Sequence, residues 1–181
     1  MPNAIEMLRE DHRKVQELFE SFEQSSDSKE QICEETIAEL ETHATLEEEI
    51  FYPAAQEQVE EKELIDEAQE EHHVVKLLMA ELKKMRANDQ RFEAKFKVMS
   101  ESVKHHIEEE ESELFPMIED KLDAESLGEQ MQSRKEQLQQ KSSKRSRSVG
   151  KSAKAKTRSS NKRAKRQRSG KKARKASGGR R

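Results

Sequence analysis

The chain has 181 residues, of which 40% are charged and only 4% aromatic, with one cysteine and a formal net charge of −3. No apolar run approaches the roughly 20 residues that a helical membrane span needs, and one thiol cannot form an intramolecular disulfide, so neither a membrane-spanning chain nor a disulfide-built secreted scaffold is expected. The lone Cys33 and an N-terminus without a basic-then-apolar leader predict a reducing, cytoplasmic setting, nucleoid-associated or, in a eukaryote, nuclear.

The near-neutral charge is a cancellation of opposites. Residues 141–181 carry 19 Lys and Arg and no acid, leaving 16 basic against 38 acidic residues, or −22, in the rest. The sequence therefore divides into a helical body at 1–125, a polar helical extension or linker at 126–140, and a Lys/Arg-rich tail at 141–181. The tail has one Val, no other large aliphatic and no aromatic, so it buries too little apolar surface to offset its ordering entropy and is expected to be disordered when free.

Helix one places Ile5, Leu8, His12, Val15, Phe19 and Phe22 on one stripe in steps of three and four. A polar Ser25–Ser28 joint with capping chemistry follows, and helix two runs Thr36, Leu40, His43, Glu47 and Ile50 on the same period. Cys33 lies near that apolar face, where a buried, inert thiol is expected. Helix three gives Ile65, Ala68, His72, Val75, Met79 and Leu82, and Asn88-Asp89 supplies the next joint. Helix four carries Phe92, Phe96, Met99, Val103, His106, Glu110 and Met117 and ends between Pro116 and Leu122. The pattern predicts an all-α, up-down-up-down four-helix bundle.

Two stretches are near-copies: His43-Ala-Thr-Leu-Glu47-Glu-Glu-Ile-Phe-Tyr-Pro53 and His106-Ile-Glu-Glu-Glu110-Glu-Ser-Glu-Leu-Phe-Pro116. Their upstream partners match too, since Glu10-Asp11-His12 reads like Glu70-Glu71-His72. The body is thus a duplicated helix pair, with a His on the first helix and His-x-x-x-Glu on the second. Midpoints of antiparallel neighbours meet at one level, so His12, His43, Glu47, His72, His106 and Glu110 converge in the core. Two carboxylates buried among Val, Met and Phe without counter-charge would each cost several kcal/mol, and a bound cation supplies that charge. Spacing of i to i+4 lets each His/Glu pair chelate one ion, or lets the Glu bridge two. A lone His on an apolar face is usually a satisfied core residue; six polar groups in a symmetric arrangement are a metal-site pattern.

The neighbours read differently. His73 and His105 face sideways, and Glu48, Glu49, Glu108, Glu109 and Glu111 form a solvated acidic face from which any one can support or replace a ligand. Phe51 and Tyr52 are expected to pack the bundle end. A ferritin-like oxidase site would be richer in carboxylate and would use Glu-x-x-His at i to i+3, and four His to two Glu at i to i+4 argue against it.

On these residues the body resembles hemerythrin-like proteins with an HHE cation-binding domain. The resemblance covers residues 1 to about 120 and implies a non-haem di-iron centre, with Glu47 and Glu110 as bridging carboxylates and His12, His43, His72 and His106 as terminal nitrogen ligands. The oxygen-carrying hemerythrins have a second His one turn after the first on helix three; Lys76 stands at that position here. One ion then has fewer protein ligands, and an open position favours reaction with oxygen or peroxide over reversible carriage. Imidazole with carboxylate also suits zinc or manganese.

The expected function is a metal-binding module that binds, senses or reduces oxygen, peroxide, nitric oxide or iron. No separate general acid or second substrate pocket is legible, so a dedicated di-iron peroxidase or oxidase ranks second, with a nucleoid-architectural protein using a structural metal beside it. The tail, with blocks such as Lys162-Arg-Ala-Lys165-Arg166, predicts non-specific DNA binding through phosphates, and nothing aromatic in it can stack on bases. An acidic partner, a membrane surface or the chain's own acidic body are competing docks for the same charge.

Overall fold

A computed structural model describes residues 2–59 and 62–141, and the unit containing the site ends at Glu136. The expectations of disorder and DNA contact for the tail fall, from residue 142 on, outside the described residues. Helix α1 (Ala4–Gln24) begins where the Asn3 side chain accepts a hydrogen bond from the Glu6 backbone N–H at 3.2 Å, satisfying one of the free donors of its first turn. It buries the stripe Ile5, Leu8, His12, Val15, Phe19 and Phe22, together with Ala4 and Asp11. After the Ser25–Ser28 joint, α2 (Lys29–Leu46) buries Cys33, Thr36, Ile37, Leu40, His43, Ala44 and Leu46. Helix α4 (Glu63–Leu82) buries the six residues its periodicity marks, and α5 (Phe92–Glu109) buries Phe92, Phe96, Met99, Val103 and His106 on the expected face. No strand occurs among the described residues, and no helix there is long and apolar enough to cross a membrane.

Cross-helix contacts fix the topology. Against α4, Glu41 of α2 pairs with Lys83 and Glu48, just past the end of α2, pairs with Lys76, so rising numbers on one side meet falling numbers on the other. Helices α4 and α5 pair Glu81 with Lys95 and Glu71 with His106, and α1 meets α5 through Phe22 with Phe96 at one end and, just past the end of α5, through His12 with Glu111 at the other. Lying antiparallel to their spatial neighbours, the four long helices form the up-down-up-down bundle.

Helices two and four depart from a plain α-helix in the same way. Each carries a π-helical turn, Glu47–Phe51 and Glu110–Leu114, before a short helix, α3 (Tyr52–Gln56) and α6 (Phe115–Ile118). The prolines of the repeat supply a cause: Pro53 and Pro116 have no N–H, and in an α-helix their rings would press on the carbonyl four residues back. Widening the turn relieves this, and the Tyr52 and Phe115 N–H groups reach back five residues to the carbonyls of Glu47 and Glu110. The extra residue also corrects the predicted face of helix four. Met117, expected on the seam, is exposed, and Leu114, Phe115 and Ile118 are buried instead.

The apolar interior forms two clusters. One gathers Leu8, Leu46, Phe51, Tyr52, Ile65 and Phe115 with their neighbours; the other gathers Val15, Phe19, Leu40, Val75, Met99 and Val103 with theirs. Along the chain, His12, His43 and His72 each lie between a residue of the first cluster and one of the second, and His106 lies at the end of the second, between Val103 and Ile107. Residues 124–141 are helical and are called α7. Within the first unit, α7 adds Met131, fully buried, to the first cluster. It approaches the N-terminus closely enough that a Cβ at Gly128 would stand 2.0 Å from the Pro2 carbonyl oxygen, so the contact requires glycine. Arg134 grips Glu49 with two hydrogen bonds of 2.6 and 2.8 Å, and Lys135 reaches Asp11 at 2.5 Å.

Candidate metal centre

The six residues marked by the repeat come together between the two apolar clusters, and all are buried. Their distances describe two groups that share one carboxylate. His12, His43, Glu47 and Glu110 form one; Glu47, His72 and His106 form the other. Glu47 turns Oε1 to His43 Nε2 at 3.1 Å and Oε2 to His72 Nε2 at 3.2 Å, one oxygen for each group. Glu110 Oε2 lies 3.3 Å from His12 Nε2 and 3.6 Å from His106 Nε2. The Nε2 atoms of His72 and His106 approach to 3.1 Å. All four imidazoles therefore present Nε2 inward.

Their Nδ1 atoms face outward to four further carboxylates. His12 Nδ1 lies 2.7 Å from Glu111, His72 Nδ1 2.9 Å from Glu48, and His106 Nδ1 2.8 Å from Glu71. Asp11 stands 4.0 Å from His43 Nδ1, with its other oxygen on Lys135. A carboxylate on Nδ1 holds that nitrogen protonated and leaves the Nε2 lone pair to the interior, the usual support of an imidazole that ligates a metal. The sequence places Glu48 and Glu111 in a solvated face with this supporting role open to them, and marks no such role for Asp11 or Glu71. The residue preceding each His of α1 and α4 was the available signal, since Asp11-His12 and Glu71-His72 occupy equivalent places in the repeat. Helix packing then crosses the pairs, sending Asp11 to His43 and Glu71 to His106.

Tyr52 was expected as packing and does more. Its hydroxyl donates to Glu110 Oε1 at 2.9 Å and stands 3.5 Å from His106 Nε2. The π turn brings it there, by setting Tyr52 five residues after Glu47 on the inward side. His73 is exposed and takes no part in either group. Lys76 binds Glu48, the carboxylate that holds His72.

The electrostatics call for positive charge. Burial opposes ionisation of Glu47, but His43 and His72 outweigh it and hold its carboxyl well below the usual range. Burial also disfavours charge on His12, which Glu110, Glu47 and Glu111 overcome, raising its pKa. His106 is raised to about 9 on the same balance, burial against Glu71, Glu110 and Glu47. Tyr52 is pushed well above its ordinary value by burial and then by Glu47 and Glu110, so its hydroxyl keeps its proton. The donor set passes a direct test of fit to a cation: His12 Nε2, His43 Nε2, both oxygens of Glu47 and Glu110 Oε2 are buried and make no hydrogen bond, although they stand within 3.1–3.6 Å of the nitrogens and oxygens opposite them. Five such atoms at one point would be a severe penalty for a metal-free core, and they are the nitrogen and oxygen donors that a divalent transition metal takes.

Beside the imidazoles, on the side of the second apolar cluster, lies a cavity offering about 20 Å³ to the centres of water-sized molecules. Val15, Leu40, Val75, Met79, Val103 and Ile107 line it with the four His and Lys76. That space suits one very small molecule, since a single water needs about 10–15 Å³ on this measure.

Residues 3–118 match the family described as Hemerythrin HHE cation binding domain. Among curated proteins, a DNA nickase of Nostoc sp. is 30% identical over 128 residues, covering 68% of this chain and 35% of its own length. An uncharacterized hemerythrin-like protein of Schizosaccharomyces pombe is 28% identical over 129 residues, covering 69% of this chain and 64% of its own. The chain thus spans less than two thirds of either relative. A crystal structure of a hemerythrin HHE cation-binding domain-containing protein from Mycobacterium kansasii superposes with a TM-score of 0.65 at 29% identity, over 76% of this chain and 88% of that one.

Proposed function

The chain belongs to the hemerythrin HHE cation-binding domain family, and on that premise we propose that it holds two non-haem iron ions and uses them to bind, sense or reduce oxygen, peroxide or nitric oxide. The observation that carries this reading is the convergence of four Nε2 atoms on two buried carboxylates, with five of the buried inward atoms making no hydrogen bond. In this reading the ions would be held by His12, His43, His72 and His106 together with the carboxylates of Glu47 and Glu110. When bound, iron would supply the redox and Lewis-acid chemistry that these side chains lack.

The protein's own contribution is orientation and exclusion. Glu111, Glu48 and Glu71 keep protons on Nδ1 and so aim Nε2 inward, while Tyr52 restrains one oxygen of Glu110. The apolar cavity limits what reaches the imidazoles to molecules of about two heavy atoms, which favours a small gas or peroxide over an organic substrate. Lys76, where oxygen carriers have a further His, is paired with Glu48, and this supports reaction or sensing over carriage.

The Lys/Arg-rich residues 141–181 support a DNA partner for the same chain, and the relative named a DNA nickase is consistent with that partner. The decisive experiment is metal analysis of the full chain after anaerobic reconstitution with iron. About two iron per chain are expected, falling at least by half in His43→Ala and Glu110→Ala. Substoichiometric metal in the folded parent chain would remove the proposal.

A further inference from the structure

The second copy of the repeat contains its motif twice. One residue out of step with His106 and Glu110, His105 and Glu109 form another His-x-x-x-Glu pair; the first copy has Thr42 at the corresponding place. One residue turns a helix by about 100°, so the pair leaves the interior and faces the seam between α5 and α4. There α4 presents Glu71. His105 Nε2 lies 3.3 Å from Glu109 Oε1 and 3.8 Å from Glu71 Oε1, and the three donor atoms all fall within 4.8 Å of one another. Two ligands each about 2.1 Å from one ion stand about 3.0–3.4 Å apart, so small side-chain rotations bring these three around a single cation.

We propose that Glu71, His105 and Glu109 form a solvent-facing site for a divalent transition-metal cation, separate from the buried centre and joined to it through Glu71. The joint is the other oxygen of that carboxylate, which takes the His106 Nδ1 hydrogen at 2.8 Å. The His105 side chain is 63% exposed, so an ion reaches the site without any opening of the bundle, while Glu71 at 20% and Glu109 at 31% are partly desolvated. One imidazole with two carboxylates suits iron(II), manganese or zinc. An i to i+4 ion pair between His105 and Glu109 is the competing account of the same distances.

Equilibrium dialysis of the full chain against zinc distinguishes the two, once tightly held metal has been counted in the same samples. The parent chain is expected to bind one exchangeable equivalent beyond the buried content. His105→Ala and Glu109→Gln should weaken that equivalent by about tenfold or more with the buried content unchanged. No exchangeable equivalent, or one of equal affinity in both variants, overturns the site and leaves an ion-pair network. The buried metal count is scored separately, so loss of the interior centre and loss of this site are different results.

Discussion

At the scale of single residues, each imidazole of the centre divides its nitrogens between two tasks, and the carboxylates divide likewise. Glu47 gives one oxygen to each side of the cluster, whereas Glu110 gives Oε2 inward and lends Oε1 to Tyr52. The two copies of the repeat are therefore unequal at this point, since the residue matching Tyr52 in the second copy is Phe115, which has no hydroxyl. Tyr52→Phe should destabilise the protein by about 1–3 kcal/mol, the cost of withdrawing a donor from a buried charged acceptor. It should leave the metal content intact while changing the visible absorption of the loaded protein; unchanged denaturation and spectrum together would mean that the hydroxyl has no role. Cys33 tests the opposite kind of residue. Burial, with Glu34 and Glu30 nearby, pushes its thiol up to about 12, so the thiolate is almost absent at pH 8. Iodoacetamide at that pH should alkylate the denatured chain fully and the native chain hardly at all, as read by mass spectrometry. Comparable rates would contradict a sealed, inert thiol.

At the scale of the helix, the 3.6-residue period made the seams readable, because every apolar residue that flanks a site His had to face the same core. The four His and two Glu stood out as breaks in an otherwise apolar stripe. What the period hid lies after each Glu: steps of three and four pass over a five-residue turn, so Met117 read as inward and Tyr52 as mere packing. The sign was present in Pro53 and Pro116, each six residues after a site Glu, but a proline near a helix end is more often a terminator than a cause of a wider turn. Carboxylates that support the imidazoles from across the bundle were hidden for another reason, since Asp11 serves His43 and Glu71 serves His106 only once the helices pack. If Pro53 sustains the first π turn, Pro53→Ala restores a donor and removes the clash with the Glu49 carbonyl, and the α-helical pattern can close. Phe51 and Tyr52 would then rotate by about 100° out of the core. The variant should melt lower than the parent and reproduce the spectral change of Tyr52→Phe. A variant with the parent's melting temperature and spectrum would show that packing, not proline, sets the turn.

At the scale of the whole chain, charge is segregated as sharply as polarity is within the bundle, with −22 up to residue 140 and +19 beyond it. An acidic body repels DNA, so if the chain binds nucleic acid the attraction must come from the basic residues, and it must act through phosphates because no aromatic there can stack on a base. The body's own acidic surface competes for the same cations, which weakens attraction at long range but cannot give it sequence preference. An electrophoretic shift assay on the full chain and on residues 1–140 separates these contributions. The full chain should shift duplexes of unrelated sequence alike, and the shorter form should shift none. With about six phosphates neutralised, affinity should fall roughly a thousandfold between 50 and 200 mM salt, and a shallower slope would mean fewer contacts. Equal shifts by both forms would move the binding to the bundle, and no shift by either would leave the basic segment to an acidic protein or lipid surface.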